Sequence, residues 1–280
     1  MARHLVCIAA IILVILACSF LPFLPGRYDR LAVTLSAMAQ IFGAVSLLLV
    51  PIGAFWLIYE FRRRVSKPAG AYYFALAALV AASLVVMFFV LGAFISLGFS
   101  LGIIVLALWS YVVIRFAPAL KQMKTATRDG FHPAPFYLVC IPVVVVIVQW
   151  TLIRDAVEFS RNYAIRQSAT LINDIEGYRQ ANGRYPASLA ALHPDYKPGV
   201  IGIERYQYEP YGDAYNLYFE QFTYQIGARE IVMYNKLDEH HFPSHANDIL
   251  RWTPEQLRSR KAYFSLQNTR IPHWKYFWFD

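Results

Sequence analysis

Asp238-Glu239-His240-His241-Phe242-Pro243-Ser244-His245-Ala246-Asn247-Asp248 is the one run in this chain where metal-ligand chemistry crowds together. Neutral imidazole and carboxylate are good Zn2+ ligands, and a zinc site needs three or four groups converging on one point. His240, His241 and His245 could supply three of them. His241 and His245 stand four apart, but Pro243 between them breaks the helical face that this spacing would use. Calcium takes oxygen donors, so three histidines suit it poorly. A solvated loop accounts for the same residues without any metal, and both readings stay open at this level.

Other chemistry is sparse. The chain has no His-Glu-x-x-His, no Gly-x-Ser-x-Gly, no Cys-x-x-Cys and no phosphate-cradling glycine loop. Glu204, Glu209 and Asp213 read as strand-end carboxylates facing solvent. Aromatic residues are the stronger signal, because they dominate protein-contact hot spots. Tyr206, Tyr208 and Tyr215 fall in one tyrosine-rich stretch, and the chain closes on Trp274-Lys275-Tyr276-Phe277-Trp278-Phe279-Asp280. Trp274, Tyr276 and Trp278 are therefore candidates for contact with a partner or a membrane interface. The same residues would equally serve as a last strand closing the domain's own core.

The elements that must carry these residues divide the chain in two. About 20 apolar residues cross a bilayer as a helix. Leu5–Leu24 meets that length, and Leu31–Tyr59 holds no charged side chain. Ala69–Ile114 runs 46 residues without a charge. That is roughly twice what one crossing needs, so two helices are expected with a turn near Gly92–Gly98. The fifth span is placed at 134–153. Pro51 should kink the second span. Gly98 and Gly102 have the spacing of a close helix contact, and their place beside the turn favours a loop role. Gln40 and Gln149 are the only amides in the spans, whose interiors hold no Asp, Glu, His, Lys or Arg. That absence argues against proton-coupled transport or intramembrane proteolysis. Cys7, Cys18 and Cys140 all lie in spans, where they act as small apolar residues.

The formal charge of +8 resolves by region. Residues 154–280 carry 15 Lys/Arg and 15 Asp/Glu, so the entire excess belongs to residues 1–153. A nucleic-acid partner is excluded on that count. The basic residues gather in two short loops, Arg62, Arg63, Arg64 and Lys67 in one, Arg115, Lys121, Lys124 and Arg128 in the other. Short cytoplasmic loops collect such residues. Alternation then puts the N-terminus inside, the Gly26–Arg30 loop outside, and residues 154–280 outside.

Beyond the fifth span, apolar residues recur at helical spacing at Val157, Ala164, Ser168, Leu171, Ile175 and Tyr178. Arg161, Arg166, Gln167, Asp174 and Arg179 are assigned to the opposite side. One helix from Pro135 to Ala181 is expected, stopped by Asn182-Gly183. A short helical stretch at Ala187–Leu192 follows. Period-two alternation marks three strands, about Val200–Glu209, Ala214–Thr223 and Arg229–Asn235. Thr253-Pro254-Glu255-Gln256 opens a short basic helix through Lys261.

The run Ile172-Asn173-Asp174-Ile175-Glu176-Gly177-Tyr178-Arg179-Gln180-Ala181-Asn182-Gly183-Arg184-Tyr185-Pro186, with Leu189 and Leu192, resembles the helix end of the type II secretion pseudopilins and related type IV pilins. The resemblance covers some 70 residues, from the fifth span through the second strand. It implies a membrane-crossing helix, an amphipathic half-helix, an Asn-Gly-x-Tyr-Pro stop and a small antiparallel sheet. Pilin processing is not implied. Gly130-Phe131 precedes the fifth span, but the fifth residue counted from Phe131 is Pro135, where pilins have Glu. Four preceding spans are also foreign to that family.

These readings combine into one expectation. The chain is a membrane protein with five transmembrane helices and a small α+β domain, a long helix packed on an antiparallel β-meander, pilin-like. Residues 1–133 form the four-span region, 134–153 the fifth helix and 154–280 an extracytoplasmic domain. The expected place is the bacterial inner membrane, with the N-terminus cytoplasmic and the domain periplasmic. The expected partners are the lipid bilayer and an envelope protein, with no cofactor. A membrane immunity or inhibitor protein that binds a toxin is the alternative, and a metal-dependent envelope enzyme stands behind it.

Overall fold

A computed structural model describes residues 2–62, 68–96, 99–125, 131–192, 195–211, 213–223, 229–240 and 267–279. The chain forms two compact units, Met1–Ser19 with Met38–Thr151, and Phe20–Ala37 with Leu152–Asp280.

Among the described residues five helical runs are long and apolar enough to cross a membrane. The first is α1 (Ala2–Phe20), and the second joins α2 (Arg30–Ser46) to α3 (Val50–Arg62). Next come α4 (Pro68–Ser96) and α5 (Phe99–Thr125). The last is α6 (Ala134–Gln167), followed by α7 (Ala169–Asn182). The break between α4 and α5 falls at the end of the stretch where small residues cluster. Between α2 and α3 the helix tightens into a 3-10 turn at Leu47–Leu49. Pro51 causes it, having no N–H to give the Leu47 carbonyl one turn back.

One amide ties three crossings together within the first unit. Gln149 Nε2 of α6 donates to Ser19 Oγ at 2.8 Å and to the Ala39 carbonyl of α2 at 3.2 Å. Ser19 Oγ in turn donates to the Ile15 carbonyl at 2.8 Å. Both side chains are buried. A Cβ at Gly43 would lie 2.3 Å from Gln149 Oε1, so glycine is what makes room for the amide. In hydrocarbon an unsatisfied amide costs several kcal/mol, which makes such a junction strongly directional. Gly102 has a similar packing role. It is helical, and a Cβ there would meet the Phe94 ring at 2.5 Å. It serves close approach of α4 and α5, not the loop role expected of it, because α5 already begins at Phe99.

Glu60 is buried in the last turn of α3. It accepts from Trp56 Nε1 at 3.2 Å and from the His132 N–H at 3.3 Å, and the His132 ring stacks on Trp56 at 4.9 Å.

The second unit is built on an antiparallel sheet of five strands in the order β1-β2-β3-β5-β4. They are β1 (Gln207–Tyr211), β2 (Ala214–Phe222), β3 (Arg229–Asn235), β4 (Gln267–Asn268) and β5 (Trp274–Phe279). The expected three-strand meander is present and is extended by the C-terminal aromatic run. Tyr215, Leu217, Phe219, Val232, Tyr234 and Trp274 pack on one face against Ala164, Ile165, Leu171 and Ile175 of the helices. Tyr218, Ile231, Met233 and Phe277 form a second buried cluster on the opposite face.

Three further expectations need correction. The helix is not continuous to Ala181. The Ser168 N–H is shared between the Ala164 and Ile165 carbonyls, and its Oγ donates to Ile165 at 2.7 Å. Such back-bonding bends helices, and here it separates α6 from α7. The stretch Ala187–Leu192 forms only a single 3-10 turn, Leu189–Ala191. Finally, Val200 does not begin a sheet strand. Residues 199–202 instead hold the loop that follows α1, through Gly26 N–H to Gly199 O (2.8 Å), Asp29 N–H to Ile201 O (3.0 Å), Ile201 N–H to Leu24 O (3.0 Å) and Gly202 N–H to Pro22 O (2.7 Å). Gly202 is obligatory, because a Cβ would sit 2.7 Å from the Pro22 carbonyl oxygen. Alternating apolar residues fit a strand paired to this loop as well as one in the sheet. The helix stop is as read: Gly183 is left-handed at φ 71° and its N–H caps the Arg179 carbonyl.

This staple requires the first connecting loop and the C-terminal domain to share one side of a membrane. Cysteine placed at Tyr28 or at Leu237, in a chain whose native cysteines are replaced by alanine, should react with the same membrane-impermeant maleimide from the same side. Labelling of the two from opposite sides would refute the staple.

Candidate functional site

The densest polar constellation in the domain is one that the sequence reading placed on the wrong face. Arg161 stands in the apolar stripe of α6 and is 7% exposed. The stripe lists Val157 and then Ala164, a gap of seven. Arg161 occupies the missing position at steps of four and three. Its partner is Glu230 of β3, which alternates in phase with buried Val232 and Tyr234 and is fully buried. Spacing alone marks Arg161 as inward-facing, whereas Ile231-Val232-Met233-Tyr234 is apolar on both faces of β3 and leaves the side of Glu230 open.

The geometry saturates the carboxylate. Glu230 Oε1 accepts from Arg161 Nε at 2.7 Å and from Gln221 Nε2 at 2.7 Å. Oε2 accepts from an Arg161 terminal nitrogen at 2.9 Å and from Trp278 Nε1 at 3.0 Å. The guanidinium lies over the Tyr276 ring, 3.5 Å from its centroid. Ser160 Oγ completes the group by donating to Gln221 Oε1 at 3.0 Å. Helix α6 and strands β2, β3 and β5 thus meet at one bidentate pair. A carboxylate that accepts four hydrogen bonds and touches no solvent has no lone pair left for proton abstraction. Its chemistry is positional.

The aromatic candidates divide by burial. Tyr206, Tyr215 and Trp274 are in the core. Tyr206 donates to the Ala164 carbonyl at 2.5 Å, locking β1's approach to α6. Tyr208 is half-buried and donates to the Pro186 carbonyl at 2.9 Å. Tyr276 and Trp278 are half-buried around Arg161 and Glu230. The Tyr215 ring packs on Tyr185, Tyr208 and Tyr234 at 4.9, 5.5 and 5.8 Å, and its hydroxyl finds no hydrogen-bond partner among the described residues. Burial pushes the hydroxyls of Tyr206, Tyr208, Tyr215 and Tyr218 well above the ordinary phenol range. Tyr196 is pushed up to about 12 by burial and by its hydrogen bond to Asp174.

A second polar group closes the end of α7. Tyr185 accepts from Arg179 at 2.8 Å and donates to Glu176 at 3.3 Å, and Lys236 donates to Glu176 at 2.9 Å. The Arg179 guanidinium also lies over the Tyr185 ring. This is how the Asn-Gly-x-Tyr-Pro stop folds back on its own helix.

Of the three histidines, only His240 lies within the described residues. His241 and His245 lie outside them, as does the helix expected from Thr253 to Lys261. His240 Nδ1 faces the Asp238 carbonyl at 3.0 Å and Nε2 faces the His273 carbonyl at 3.2 Å. Burial holds its imidazole below the ordinary histidine value. Among the described residues no three His, Cys, Asp or Glu side chains converge as a metal site would require.

Two outcomes follow from this packing. Removing one buried partner strands the other charge, so Glu230→Ala or Arg161→Ala should destabilise the full chain in detergent by about 3–5 kcal/mol. The paired change Arg161→Met with Glu230→Leu should restore most of it, as read by thermal unfolding. Equal loss in single and paired variants would mean that packing, not the charge pair, is at stake. The tyrosines give a pH test. A hydroxyl whose value is raised on folding stabilises the fold fully below its unfolded value near 10 and loses that contribution as pH climbs through the raised one. In an alkaline titration, a subset of the 19 tyrosines should ionise only together with unfolding. Ionisation of all of them near pH 10 with the fold intact would contradict the burial.

Compared with protein families, with curated proteins and with solved structures, the chain matches none.

Proposed function

We propose that this chain is a multi-pass protein of the bacterial inner membrane that presents a pilin-like domain to the periplasm for protein recognition, in envelope or secretion-related assembly. The carrying observation is the saturation of Glu230. The domain's one fully buried carboxylate, among the described residues, holds helix and sheet together and has no capacity left for catalysis. The pilin-like reading draws support from the α6–α7 run, its left-handed Gly183 cap and the Tyr185-Pro186 return onto an antiparallel sheet. The periplasmic orientation draws on two groups of basic residues, Arg62, Arg63, Arg64 and Lys67, and Arg115, Lys121, Lys124 and Arg128, because such residues resist translocation; Arg115, Lys121 and Lys124 stand on α5 and not in the loop expected for them.

A photoreactive residue at exposed Leu237, in living cells, should give one discrete adduct with an envelope protein. Replacing His240, His241 and His245 together by alanine should leave that adduct and the phenotype of the chain unchanged. No adduct from Leu237 or other exposed positions of the domain would overturn recognition as its work. Loss of function in the triple alanine variant, with a wild-type function that a chelator removes and added zinc restores, would favour the metal-dependent reading.

A further inference from the structure

An apolar groove opens in the second unit where two membrane-crossing runs end. Phe20, Phe23 and Leu24 form one wall and Leu152, Ala156 and Phe159 the other, around a volume of about 250 Å³. Phe20 is the last residue of α1, and the second wall follows steps of four and three along one face of α6. Among the described residues no polar side chain lines it. Leu24, Leu152 and Phe159 remain 47%, 49% and 46% exposed, so none of the described residues covers them.

Its depth follows from the residues around it. The apolar run of α1 closes at Phe23 and that of α6 at Ile153, directly before Arg154 and Asp155. Trp150, 77% exposed, and Tyr28, 41% exposed, are the amphipathic aromatics that settle at headgroup level. At that boundary the apolar material in contact with the protein is the bilayer's own. Charge nearby is balanced: Arg27, Arg30 and Arg154 stand against Asp29, Asp155 and Glu158. Asp29 accepts from the N–H groups that open α2, and Glu158 pairs with Arg270 at 3.4 Å.

We propose that this groove seats one acyl chain of a membrane phospholipid, held by its hydrocarbon and indifferent to its headgroup. The proposal rests on the chain lying in a bilayer and is independent of what the domain recognises.

The full chain, reconstituted in vesicles of phosphatidylethanolamine and phosphatidylglycerol, would be exposed to phospholipid photoactivatable near the end of one acyl chain. Adducts should concentrate on 20–24 and 152–159. Ala156→Phe, which fills the groove, should lower them about tenfold while leaving adducts on Ile103 and Leu108 of α5 unchanged. Moving the photoactivatable chain from phosphatidylglycerol to phosphatidylcholine should leave the wild-type pattern as it was. Adducts spread evenly over the exposed residues of all spans, or a yield that follows headgroup charge, would overturn the proposal without needing the variant.

Discussion

Helix α6 changes solvent partway along its length, and the rest of the molecule depends on that change. From Ala134 to Ile153 its side chains are apolar on every face, as hydrocarbon demands. From Arg154 onward only a stripe is apolar, and the other faces carry charge. A helix satisfies its own backbone in either medium, so no break is needed where the medium changes. What changes is what the side chains must find. In the first half a single amide, Gln149, reaches Ser19 and Ala39. In the second half the stripe must find a sheet.

The second half meets that sheet through an ion pair at a position where an apolar residue would also fit. A buried Arg–Glu pair contributes little net stability over a well-packed apolar pair, because desolvation offsets the attraction. Its geometry is demanding, however. Four donors on two strands and one helix must arrive together for Glu230 to be satisfied. Sliding β3 by one residue would point Glu230 to the other face and leave Arg161 alone. The pair therefore selects one register of sheet on helix, which a stripe of Val, Ala, Leu and Ile would leave loosely specified.

Much of this was legible in the residues, and the failures have physical causes. The spans, the Pro51 distortion, the Gly183 stop and strands β2 and β3 follow from length, missing donors, left-handed backbone and alternation. Arg161 was misassigned because charge was allowed to outweigh position, although spacing put it in the stripe; Glu230 was not legible, because both faces of β3 are apolar from Ile231 to Tyr234. The Ser168 bend was hidden because serine suits a helix interior until its hydroxyl takes a carbonyl. Pairing of Val200 with the loop after α1 is a contact between segments some 175 residues apart, and local alternation carries no information about its partner. The aromatic tail could have been surface or strand. Burial of Trp274 and Phe277 shows it as strand.

Hydrogen exchange along α6, with the full chain in lipid nanodiscs, tests the division of this helix most directly. The account predicts that amides 136–153 stay protected both in the wild-type protein and in the Glu230→Ala variant, held by lipid. Amides 154–182 and those of β2 and β3 should be protected in the wild type and should exchange together in the variant. Protection of 154–167 that survives loss of Glu230, or exchange at 136–153 as fast as in the second half, would contradict it.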